Sequence, residues 1–79
     1  MTFGEIKNLY EARPFRSFII HIADGRALPV AHPEFLAFSP DGVTMFAYQP
    51  DGSHNIIDLS LVTDLEIKAN SGAARRRKR

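Results

Sequence analysis

The hydrophobic residues first recur at helical spacing and then at strand spacing. Phe3, Ile6, Leu9 and Tyr10 return every three or four positions, which places them on one face of a helix. Thr2 and Glu5 have the T-x-x-E spacing of a capping box, in which each side chain satisfies the other's free backbone N–H. Pro14 disfavours helical geometry at Arg13, so the predicted helix stops near Ala12. From Phe15 the period falls to two. Phe18, Ile20 and Ile22 alternate with Ile19, His21 and Ala23. Asp24-Gly25 then suits a tight hairpin that uses positive φ angles. The return strand covers residues 26–31, with Leu28 and Val30 on one face, and Pro29 predicts an edge position or a bulge.

His32-Pro33-Glu34 interrupts the pattern as a short turn, and Phe35-Leu36-Ala37-Phe38 reads as a third strand. Ser39-Pro40-Asp41-Gly42 is a hairpin turn: proline fixes φ at the first central position, and glycine accepts the left-handed position that follows. The fourth strand covers residues 43–48, with Thr44, Phe46 and Tyr48 on one side and Val43, Met45 and Ala47 on the other. Gln49-Pro50-Asp51-Gly52 repeats the turn, residues 54–59 form the fifth strand, and Leu59-Ser60-Leu61 is a single tight turn. Residues 62–68 form the last strand. The predicted fold is mainly β with one N-terminal helix: a small antiparallel SH3-like barrel of five or six short strands, closed because strong twist curls a short sheet and removes its edges.

Composition narrows the function. The 79 residues contain no cysteine, which excludes a disulfide framework and thiolate chemistry. No stretch approaches the roughly 18 apolar residues of a membrane span. The first residues lack a basic region followed by an apolar block, so a cytoplasmic protein without a membrane partner is expected. Net charge is +1, but it is divided along the chain. Residues 1–70 hold five Lys and Arg against nine Asp and Glu, a balance of −4, while Arg75, Arg76, Arg77, Lys78 and Arg79 add +5. Residues 1–69 therefore read as one domain and 70–79 as a disordered basic tail, whose small polar residues offer no burial to offset ordering.

The residues offer little for catalysis, and the chain reads as a non-enzyme with no cofactor, metal or small-molecule substrate. His21, His32 and His54 sit on three different elements without a local ligand spacing, so each reads as an ordinary strand or turn residue. Among the carboxylates, Glu5 caps a helix, Asp24, Asp41 and Asp51 build turns, and Glu11 lies on the exposed helix face. Ser17, Ser39, Ser53 and Ser60 have no evident base. Phe15-Arg16-Ser17-Phe18 has aromatics beside a base, as a stacking platform for single-stranded nucleic acid would. The simpler reading packs both rings between helix and strands.

Two resemblances accompany this reading. The segments Glu11-Ala12-Arg13-Pro14-Phe15-Arg16-Ser17-Phe18, Ile20-His21-Ile22-Ala23-Asp24-Gly25-Arg26 and Val30-Ala31-His32-Pro33-Glu34-Phe35 resemble a small uncharacterised bacterial protein family with an ARPFRPF-x-IHLADGR opening and an HPEF turn. Ser17 stands where many members of that family have proline, and the family implies no chemistry. The order of elements also resembles the Sm-like proteins, with residues 59–67 in the place of their last turn and strand. The Sm pattern for uridine needs an Asn after the third strand and an Arg-Gly or Lys-His pair before the fifth. Neither is present, so RNA binding of that type is not implied.

Assembly follows from the core count. Six Phe, seven Ile, six Leu and three Val are many for one small domain, and several strands are apolar on both faces. Ile19, Ile57, Phe35, Phe38 and Tyr48 are the expected surface of a homo-oligomer. The alternative role is weak, salt-dependent nucleic-acid binding through residues 75–79, which would release counterions from phosphates. In that case the full chain is retained on heparin to higher salt than a chain ending at Asn70. Equal retention favours the oligomeric interaction module.

Overall fold

A computed structural model describes residues 2–67. Helix α1 spans Phe3–Glu11. The capping box is present: Glu5 N–H donates to Thr2 Oγ1 at 3.3 Å, and Thr2 N–H donates to Glu5 Oε1 at 2.9 Å. The helix ends at Ala12, whose backbone is extended. Arg13 Nη1 donates to the carbonyls of Tyr10 and Ala12 at 3.1 and 2.7 Å, covering groups that a helix end leaves open.

Six strands follow: β1 (Phe18–Ile22), β2 (Ala27–Val30), β3 (Leu36–Phe38), β4 (Thr44–Tyr48), β5 (His54–Asp58) and β6 (Val62–Ile67). They form two three-stranded antiparallel sheets, ordered β2-β1-β6 and β3-β4-β5. Among the described residues the chain is mainly β with one N-terminal helix, but the sheets do not close into one hydrogen-bonded barrel. Proline at position 29 removes a ladder donor from edge strand β2, and β3 is only three residues long. Between them, a 3₁₀ turn at Pro33–Phe35 separates the sheets. Phe35 thus belongs to that turn rather than to a strand. Its N–H donates to His32 O at 3.1 Å, which closes the turn. No helix among the described residues is long and apolar enough to cross a membrane.

A second 3₁₀ turn, Leu59–Leu61, carries the chain from one sheet to the other. Leu59 N–H donates to Val43 O, and Ala23 N–H donates to Leu61 O, both at 2.8 Å, so this turn is bonded to both halves. On β6 the ladder skips Thr63, which is bulged out against β1 and donates its hydroxyl to His21 O at 3.2 Å.

Alternation sends one face of each sheet inward. Phe18, Ile20 and Val30 of the first sheet meet Met45, Ala47 and Ile57 of the second, with Ile6 of the helix fully buried among the core residues. The helix docks through aromatic edges. The Phe38 ring lies 5.2 Å from both Phe3 and Tyr10, each pair in edge-to-face geometry.

All three hairpins share one turn chemistry. Gly25, Gly42 and Gly52 have φ of +98°, +74° and +94°, and each N–H donates to the carbonyl three residues earlier. No non-glycine residue among those described has positive φ, so Asp24-Gly25 is not the two-residue turn with two left-handed positions; only glycine takes that conformation. The aspartate before each glycine is tied down locally. Asp41 Oδ1 accepts from Ser39 Oγ at 2.6 Å and Val43 N–H at 3.0 Å. Asp51 Oδ1 accepts from Ser53 Oγ at 2.7 Å and Ser53 N–H at 2.9 Å, and Asp24 accepts from Arg26 N–H at 3.0 Å.

These bonds hold the carboxyls below the ordinary Asp value of 3.8, chiefly through the Ser39 hydroxyl for Asp41, the Ser53 hydroxyl for Asp51 and the Arg26 backbone N–H for Asp24. Such groups take up protons less readily folded than unfolded, so acid favours the unfolded chain. Their contribution is complete above the ordinary value and is lost as pH falls below 3.8 through the lowered values. The urea midpoint is accordingly expected to hold between neutral pH and about 5, then to drop. In Asp41→Asn/Asp51→Asn the neutral-pH midpoint is lower and the acid drop shallower; an unchanged drop shows that the turns do not set it.

The turns also permit a matched comparison. A methyl group at Gly42 would meet Phe3 Cγ at 3.1 Å, whereas one at Gly52 has nothing within 4 Å. Both alanine variants share the left-handed backbone cost of about 1–2 kcal/mol. Gly42→Ala is expected to lose the more stability of the two in urea unfolding. Equal losses mean that Phe3 yields freely.

Candidate interaction surface

The outward residues of β3-β4-β5 follow from the register. Phe46 lies opposite Ala37 on one side and Ile56 on the other, so these three form a row across the sheet. Tyr48 pairs with His54 at one end of that face and Thr44 pairs with Asp58 at the other. Ile56 is 64% exposed, the most of any large hydrophobic residue described, and Tyr48 is 42% exposed. The Tyr48 and His54 rings lie 5.3 Å apart. Asp58, the single carboxylate on these three strands, accepts from Ser60 N–H at 2.9 Å through Oδ1. That bond holds its carboxyl below the ordinary range.

The outward face of β2-β1-β6 differs in character. Ile19 stands opposite Pro29 and Glu66, and His21 stands opposite Ala27 and Asp64. His21 Nε2 lies 2.9 Å from Glu66 Oε1. Two acids on β6 give this face polar side chains where the other sheet has Phe46 and Ile56.

The expected interface residues are divided by this geometry. Tyr48 is exposed and Ile19 half-buried on outward faces. Ile57 is corrected: it is 2% exposed and opposite Met45, inside the core. Its neighbour Ile56 takes the outward place. Phe38 is half-buried between Phe3 and Tyr10 and is committed to holding the helix. Phe35 is half-buried, with its ring 5.8 Å from that of His32. Arg75, Arg76, Arg77, Lys78 and Arg79 lie outside the described residues.

The remaining candidates have local roles. The histidines stand apart, with His21 on Glu66, His32 on Phe35 and His54 on Tyr48. No group of three or more His, Asp or Glu among the described residues is placed to hold a metal ion. Ser39 and Ser53 bond the turn aspartates. Phe18 is buried and Phe15 packs against the core, their rings 5.9 Å apart, so neither is a stacking platform.

The sequence reasoning missed Phe46 and Ile56 as a unit. The signal was available: a hairpin closing at Gln49 and Ser53 pairs Tyr48 with His54 and hence Phe46 with Ile56. No protein-family profile, curated protein or solved structure matches the chain.

Proposed function

We propose that this chain is a non-enzymatic interaction module that works by assembling with copies of itself. The observation carrying this reading is the outward apolar face on which exposed Ile56 and Tyr48 flank the half-buried Phe46, on a body with nine acids of which the three strands beneath that surface hold one. Water-exposed apolar side chains grouped on one sheet face gain by burial, at roughly 25 cal/mol per Å². A body with an excess of carboxylates gains most by meeting a copy where those carboxylates are fewest.

The finer fold assignment belongs to the same proposal. The element order, the 3₁₀ turn that passes the chain between sheets, and the return of β6 to β1 support an SH3-like or Sm-like relationship with the barrel left open. In such small β modules the exposed faces, rather than an interior pocket, are the parts free to bind.

The full chain is expected to run as a dimer or larger species in size-exclusion chromatography with light scattering at tens of micromolar. A strict monomer at that concentration overturns the reading.

A further inference from the structure

We infer that the outward face of β3-β4-β5 is a two-fold interface in which His54 of one chain meets Asp58 of a second copy. This rests on the self-assembly proposed above and specifies its surface and geometry. Two sheets stacked face to face by two-fold symmetry have their axis in the plane between them. An axis running across the strands at the Phe46–Ile56 row returns Phe46 onto Phe46 and Ile56 onto Ile56. It also exchanges the two ends of β5. His54 and Asp58 lie two positions on either side of Ile56 and point to the same face, so the operation sets each imidazole over the other copy's carboxylate.

The face is complementary to itself in three respects. Its middle is apolar, with Ile56 the most exposed large hydrophobic residue described. One end has an imidazole donor and the other a carboxylate, and reversing one copy brings unlike ends together twice. Asp58 is kept ionised by Ser60, so it stands ready to accept. The opposite sheet face does not pair in this way, because its acids Asp64 and Glu66 are both on β6 and Glu66 already meets His21.

Size sets the expected strength. Two strands of five residues and one of three, about 4.8 Å apart and rising about 3.3 Å per residue, cover roughly 200 Å² in projection. That lies well below the roughly 800 Å² per partner of a stable interface, so the dimer is expected to be weak and in exchange with monomer.

Sedimentation equilibrium of the full chain provides the test, with circular dichroism confirming that each variant is folded. Ile56→Lys is expected to weaken association about tenfold or more, as the loss of a central anchor does. Ile56→Thr, which keeps the β-branched shape, is expected to weaken it less and guards against misfolding. His54→Asp sets carboxylate against carboxylate and is expected to weaken association about tenfold or more, whereas His54→Lys retains it. Ile19→Asp on the other sheet is expected to leave it unchanged. A monomeric parent chain overturns self-assembly itself. A dimeric parent that Ile19→Asp dissociates and Ile56→Lys does not leaves self-assembly standing and overturns this face. Loss with Ile56→Lys but not with His54→Asp overturns the reversed pairing.

Discussion

In a sheet with alternating side chains, sliding one strand by a single residue exchanges its buried and exposed sets. This chain depends on that register throughout. Its strands are three to six residues long, so each ladder has few bonds with which to resist slippage. The resistance comes from the turns. Each Asp-Gly corner ties a carboxylate to nearby donors and puts a glycine where other residues are strained. Met45 then faces Ile57 inside, and Phe46 faces Ile56 outside.

The helix completes what two small sheets cannot bury alone. Ile6 supplies the buried aliphatic side chain, and Phe3 and Tyr10 each meet Phe38 in edge-to-face geometry. Phe3 also lies against Gly42, so the corner that sets the β3-β4 register is a contact point for the helix. Local turn chemistry and long-range packing reinforce each other at that position. Such agreement across levels matters in a chain with no disulfide to fall back on.

Much of this arrangement could be read from the residues. The capping box, the stop near Ala12, the edge placement of Pro29 and both Pro-Asp-Gly corners are local chemistry, and local chemistry is written in adjacent residues. The two faces of β4 also follow from its alternation. What was not legible depends on distant pairing. Ile56 and Ile57 are identical in type, and only the partner strand distinguishes them. Phe35 fits a strand by propensity, yet the turn begun by Pro33 claims it. Closure of the sheet depends on whether distant edges meet, which alternation along one segment does not encode. The candidate surface was legible at Tyr48 and misplaced by one residue at Ile57.

The turn at Leu59–Leu61 has a consequence for how the domain comes apart. Its two ends are fastened to different sheets, by Leu59 to Val43 and by Ala23 to Leu61, while Leu59 itself is buried in the shared core. Peeling β6 from β1 therefore strains the link into β5, and loosening β5 strains the link into β6. The two halves are therefore expected to melt together, as one cooperative unit.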